Sequence, residues 1–270
     1  MRATLAFVLA LGAGMSVRSQ KTSVLDPEAC VLRARWEPLA ESKYGLYGSQ
    51  ELRDLLGAGP SEPERGHPRE RFAALLPAED VELGEPFALE PEHFLVFLRQ
   101  FHPGATPRPR YGQPGAFGCL IARDDESLEL FYRVHAGFQL DADVFLTPAQ
   151  FEGRLLWERA PGRPLAFSLA LPARNTNVDI NARIGDHGVA DIGFVPVMEL
   201  ALEPAVDGDH ARAGGERVEL DVARARLRSA FYRFAAIGWL PLVEAHRRAQ
   251  EQAKPLHVVI LFGTLDDESC

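Results

Sequence analysis

From Leu128 to Leu140 the chain alternates with a period of two: Leu128, Leu130, Tyr132, Val134, Ala136, Phe138 and Leu140 are apolar, with Glu129, Arg133, His135 and Gln139 between them. On a helix these apolar positions would spiral around the axis, whereas on a strand they share one face. The run therefore predicts one long strand with a buried face and a solvated face. Asp124–Ser127 reads as a turn that pairs it with Cys119–Ala122. Further alternating runs follow at Leu165–Leu171, Val178–Ile184, Val189–Phe194 and Val197–Leu202, separated by turn signals at Pro161-Gly162, Asn175–Asn177 and Gly185–Gly188. The expected fold is α+β: a central antiparallel sheet, curled or doubled into a sandwich, with flanking helices.

The β-rich domain is expected over residues 72–217. Before it, residues 1–19 carry Arg2, the apolar run Leu5–Leu11 and then small residues, the layout of a secretory signal peptide or, uncleaved, a signal anchor. Residues 20–71 form a poorly defined segment with one helix at Ser49–Leu56. It ends in Gly57–Arg71, which is rich in Gly, Pro and charge and reads as a boundary or mobile loop. Inside the β-rich region, Pro91–Phe101 predicts a core helix and His102–Gly118 an irregular stretch. Residues 218–270 open with a helix in which Leu220, Ala223, Leu227, Ala230, Phe231 and Phe234 recur at helical spacing, ended by Gly238. A second helix runs from Pro241 to about Lys254, and His257–Phe262 then reads as a strand covered on both faces.

With 46% hydrophobic residues in 270, the chain can bury a full core. Its net charge of -9 disfavours nucleic acid, which would need a basic stripe. The leader points to export, to the endoplasmic reticulum in a eukaryote or to the periplasm or exterior of a bacterium, with membrane association through the amino-terminal segment if the leader is retained. In such a compartment Cys30 and Cys119 are candidates for a structural disulfide, the alternative being two unpaired cysteines. Asn175, Asn177 and Asn181 lack the hydroxyl residue of a glycosylation sequon. Asp207-Gly208-Asp209 with Glu216 lacks the ligand alternation of a calcium loop, so calcium binding is not supported, and neither His135 nor Asp186-His187 has a metal-ligand companion at a recognised spacing. Nucleotide-binding and hydrolase motifs are absent from the sequence.

Chemistry concentrates at the carboxy end, where the apolar run leads into an acidic loop, Gly263–Ser269, and then Cys270. A helix, a break, a buried strand and a loop cysteine form the opening of a thioredoxin-like unit. The ending HVVILFGTLDDESC, His257–Cys270, closely resembles the segment of the selenoprotein N family that immediately precedes its selenocysteine. The family motif reads Ser-Cys-selenocysteine-Gly, and Ser269 and Cys270 match its first half. The resemblance extends to FYRVHAGFQL at Phe131–Leu140, FLTPAQFEGRLL at Phe145–Leu156, NVDI at Asn177–Ile180, DIGFVPVMEL at Asp191–Leu200 and FYRFAAIGWLPLVEAHRRA at Phe231–Ala249.

This resemblance implies a thiol/selenol-disulfide oxidoreductase of a secretory compartment that acts on protein disulfide clients, with redox-linked calcium homeostasis in animal members. It further implies that the chain is cut before the selenocysteine expected after Cys270 and is inactive as it stands. Cys270 would be the resolving thiol, with Ser269, Asp266 and Asp267 as redox-motif neighbours, and no bound cofactor is expected. The acidic residues would oppose thiolate formation and favour cationic partners. The alternative is a non-catalytic exported binding module whose β-rich domain docks a protein partner.

Overall fold

A computed structural model describes residues 29–37, 60–108, 115–172, 178–185, 188–202, 213–232 and 237–259. Its strands are β1 (Cys30–Glu37), β2 (Glu64–His67), β3 (Pro86–Leu89), β4 (Ala105–Pro107), β5 (Ala116–Arg123), β6 (Ser127–Gln139), β7 (Val144–Glu158), β8 (Arg163–Ala170), β9 (Val178–Ile184), β10 (Gly188–Val195), β11 (Val197–Leu202) and β12 (Glu216–Arg217). The helices are α1 (Arg69–Ala73), α2 (Glu92–Leu98), α3 (Leu220–Phe231) and α4 (Leu242–Gln252).

The strands join in one sheet with the order β12-β5-β6-β7-β8-β11-β1-β2, while β3 adds to β5, β4 to β6, and the β9–β10 pair to β7. Each of these pairings is antiparallel, and the α+β class read from the sequence is the observed one. A second sheet layer is not found among the described residues, so the sandwich alternative is replaced by helices on the two faces of a single sheet.

The long alternating run is β6, and its register with β7 extends from Ser127 opposite Glu158 to Gln139 opposite Phe145. At the β5–β6 turn, Asp124 Oδ1 accepts from the backbone N–H of Ser127 at 2.6 Å and of Glu126 at 2.9 Å, an Asx turn that uses the side chain to close the loop. Leu130, Tyr132 and Val134 point to the first face, where α1 and α2 lie. Phe72 of α1 sits 5.1 Å from Phe97 of α2 and edge-on to Phe167 of β8, and Phe94 meets Tyr132 edge-on at 5.3 Å. The Tyr132 hydroxyl donates to the Leu75 carbonyl at 3.1 Å, so this buried ring keeps its polar end satisfied.

Two expectations fail locally. Gly57–Arg71 was expected to be a linker, yet Glu64–His67 pairs with β1 and Arg69 opens α1. Its apolar content is low because β2 is an edge strand that contributes chiefly backbone hydrogen bonds. His67 donates from Nε2 to Gln100 Oε1 at 3.3 Å, and Gln100 in turn donates to the Leu32 carbonyl at 2.8 Å. At the carboxy end, His257–Val259 forms no strand, and Leu256, Val258 and Val259 are exposed instead of covered on both faces. A strand needs a neighbour for its backbone groups, and none is supplied among the described residues. Residues 260–262 and the helix expected at Ser49–Leu56 lie outside them.

Candidate functional site

Cys270, Ser269, Asp266 and Asp267 also lie outside the described residues. The two remaining cysteines are free thiols, so the structure does not join them. Cys30 starts β1 and packs against the first-face core, whereas Cys119 is buried in the second-face core with Phe117, Ile121 and Phe131. Burial pushes the Cys30 thiol above its ordinary value, Arg163 opposing and Glu70 adding. Burial raises Cys119 to about 11, with Arg226 opposing. Both are therefore protonated at neutral pH, which makes them poor nucleophiles; Cys119 serves as a small hydrophobe of the core and Cys30 as a partly exposed one at its edge.

On the second face of the sheet the structure assembles a polar network that the alternation alone assigned to solvent. Glu129 and His135 are fully buried and Arg133 nearly so: Phe231 and Tyr232 at the end of α3 lie on His135 and Arg133, while Arg154 of β7 and Arg217 of β12 hold Glu129. Ala223, Leu227 and Phe231 of α3 fill the core against Phe117, Cys119, Ile121 and Phe131. The His135 ring stacks on Phe231 with centroids 3.9 Å apart and planes within 6°. Arg133 donates from Nε to His135 Nε2 at 3.2 Å and from Nη2 to Gln150 Oε1, with its guanidinium over the rings of Phe231 and Tyr232. Accepting at Nε2 requires the neutral imidazole with its proton on Nδ1. His135 is thereby committed to holding the end of α3. Cys119 pairs opposite Phe131, four residues along β6 from His135.

A second group ties in β12. Glu129 accepts from Arg154 Nε at 2.6 Å and from Arg217 Nη2 at 2.5 Å, one carboxylate held by two guanidinium groups. Asp124 Oδ2 accepts from the Gly214 N–H at 2.6 Å, and the hydrogen bonds it receives, the Ser127 backbone N–H first, hold its carboxyl below the usual range. Arg224 of α3 reaches Glu152 of β7 at 3.0 Å, with its guanidinium over Phe131. One sequence signal could have revealed this covered face. The run Ala116–Ala122 is apolar without interruption, as in a strand buried on both sides.

These groups position α3 and β12 on the sheet. Among the described residues no group of three or more His, Cys, Asp and Glu could hold a metal ion. A shallow groove of about 690 Å³ lies between Pro86 and the Val222, Ala225, Arg226 and Ser229 side of α3. No described helix is long and apolar enough to cross a membrane. What the geometry offers is a rigid sheet whose second face clamps α3, followed by an arm, 237–259, in which α4 buries no residue.

No family model matches the chain and no solved structure matches it. Curated relatives do. Human selenoprotein N is 29% identical over 313 residues, covering 91% of this chain and 53% of the human protein. Selenoprotein N of Mus musculus is 29% identical over 313 residues, covering 91% of the chain and 56% of the mouse protein. The Danio rerio protein of the same name is 31% identical over 206 residues, covering 64% of the chain and 37% of its own length. The chain thus spans about half the length of the human and mouse relatives.

Proposed function

The chain is a relative of the selenoprotein N family, and on that premise we propose that it is part of a thiol/selenol-disulfide oxidoreductase of a secretory compartment acting on protein disulfides. The observation that carries the reading is the match over 91% of the chain, and the resemblance of Ser269-Cys270 to the first half of the family motif supports it. The described residues are in keeping with it: Cys30 and Cys119 are protonated thiols at neutral pH and offer no competing thiolate.

In the full protein the selenium forms a bond to one sulfur of a client disulfide as that S–S bond breaks and the other client sulfur leaves as a thiolate. Cys270 then gives up its proton and attacks the selenium, which frees the first client sulfur as a thiol and leaves a selenium–sulfur bond. A dithiol reductant returns that bond to selenol and thiol. Asp266 and Asp267 beside the motif would favour clients with basic surfaces and hold back thiolate formation at Cys270. Control of calcium handling is what the family resemblance implies for animal members, and no calcium loop in this sequence argues for it.

Two measurements test the reading. The codon after Cys270 should be UGA followed in frame by glycine and further coding sequence. The resulting protein should reduce a protein disulfide, lose turnover when its selenocysteine is replaced by serine, and be matched by no activity of the 270-residue chain. Robust turnover by the 270-residue chain would remove the proposal.

A further inference from the structure

Two large apolar side chains, Leu220 at 36% and Val222 at 43%, stand exposed in the first turn of α3. Isolated exposed apolar residues need no explanation, but Val222 lines the groove of about 690 Å³ between α3 and β3. Pro86, Ala225 and Ala230 continue its apolar wall, and Arg226 and Ser229 are its polar members on the same side. Ser229 is already occupied, since its hydroxyl donates to the Ala225 carbonyl at 3.0 Å.

Arg226 is held but not satisfied. Gly84 has φ 83°, and the Arg226 guanidinium fills the space that a Cβ at residue 84 would need, with a Val218 methyl alongside. The Gly84 N–H donates to the Leu120 carbonyl at 2.8 Å, which fixes this backbone to β5. The guanidinium therefore rests on a rigid floor, yet among the described residues it has no hydrogen-bond or ion-pair partner. Glu82 and Glu85 flank Gly84 in sequence without bonding to it, and Asp221 instead accepts from Arg224 Nη1 at 3.0 Å. A planar fork of donors is thus left open beside an apolar groove.

β3 adds an open sheet edge. It pairs with β5 along one side, with Pro86 opposite Cys119 and Ala88 opposite Phe117, and among the described residues no strand pairs with its other side. Cross-strand partners share a face, so Pro86 and Ala88 stand on the α3 side of the sheet with Cys119 and Phe117. An unpaired edge is a template for one more strand.

We infer that β3 and α3 form a docking site for an extended segment of another protein, which adds to the free edge of β3, lays an apolar side chain in the groove and sets an Asp or Glu carboxylate on Arg226. Main-chain hydrogen bonds to the edge hold such a segment whatever its sequence, while the groove and the guanidinium select it. A shallow groove does not enclose a small molecule, as ligand pockets do. Glu82, Glu85 and Asp221 in the neighbourhood oppose a polyanion, whereas a single carboxylate in an apolar segment meets the one open cation. The inference goes beyond the redox reading and is independent of it, because the site uses neither Cys270 nor a disulfide.

A display library of capped peptides about nine residues long, enough for one strand, is selected on the 270-residue chain, and the enriched peptides are titrated by fluorescence polarisation. They should alternate apolar residues and carry one Asp or Glu, and converting that acid to its amide should weaken binding about fivefold or more, the scale of a lost guanidinium–carboxylate pair. Arg226→Gln should weaken the acidic peptide by the same factor and leave the amide peptide unchanged. Ala225→Glu, at an exposed helix position, should abolish binding of the acidic peptide, and urea unfolding checks that both variants keep the parent fold. Hydrogen exchange should show the β3 amides slowed by bound peptide. The inference is overturned if no peptide is enriched, if Arg226→Gln binds as the parent does, or if β3 gains no protection. It is also overturned if raising the concentration of the chain alone protects β3 equally, which would give the edge to a second copy. Displacement of the peptide by dodecanoate at the peptide's own affinity would give the groove to a small carboxylate and overturn it too.

Discussion

Replacing Glu129 by glutamine should be among the costliest single changes in the sheet. The carboxylate is fully buried, and it accepts from Arg154 Nε at 2.6 Å, from Arg154 Nη2, and from Arg217 Nη2 at 2.5 Å. A hydrogen bond to a charged group contributes about 1.5–3 kcal/mol, and breaking a buried pair from one side costs about 3–5 kcal/mol. Both arginines are about one-third exposed, so water recovers part of their solvation and the lower end of that range applies. The expected loss is about 3 kcal/mol, a fall in Tm on the order of 6–12 °C for a domain of this size. Urea unfolding followed by circular dichroism would measure it. Replacing Glu129, Arg154 and Arg217 together by methionine removes all the charges at once and should return to within about 1 kcal/mol of the parent, since apolar replacement of a buried ion group is commonly neutral or better. If Glu129→Gln lies within about 0.5 kcal/mol of the parent, the reasoning fails. It fails equally if the triple variant is as unstable as the single one.

Phe231→Ala removes a buried ring stacked on His135 and edge-on to Phe117, and should cost about 3–5 kcal/mol in urea unfolding. A cost below about 1 kcal/mol would mean that α3 is not anchored there. Burial lowers the pKa of His67 to about 4 against 6.5 for the free side chain, so the unfolded chain binds the extra proton first. Stability from this group is complete above pH 6.5 and falls by up to about 3 kcal/mol as the pH drops towards 4, and His67→Gln should flatten that slope in a pH series of unfolding curves. Cys119 should resist alkylation at pH 7 in the native protein and react after unfolding, as read by mass spectrometry, with the partly exposed Cys30 reacting faster than it in the folded state. Tyr132→Phe should cost about 0.5–1.5 kcal/mol through the lost bond to the Leu75 carbonyl.

The elements legible in the sequence were those whose pattern is complete within one segment. β6 is marked by its alternation, α3 by the spacing of Ala223, Leu227 and Phe231, and α4 by Pro241 at its N-cap. β7 escaped because Pro148 and Gly153 interrupt a run that hydrogen bonds to β6 and β8 nevertheless hold as one strand. β1 escaped too, although Leu32, Ala34 and Trp36 alternate with Arg33, Arg35 and Glu37, because its short run stands alone and its partners, β11 and β2, are distant in sequence.

By itself the sequence determined the periodicities, the turns between them, the α+β class and, through separate blocks of similarity in one order, the relationship to selenoprotein N. Only the tertiary structure decided that Arg133 and His135 meet the end of α3, and Glu129 the arginines of β7 and β12, instead of water. Alternation is a property of neighbouring residues and separates a strand's two faces, but it cannot say what covers each face. That depends on α3, some ninety residues further along. The same non-local dependence governs the carboxy end. Leu256–Val259 has the composition of a central strand, and without neighbours among the described residues to take its backbone hydrogen bonds it is an exposed segment.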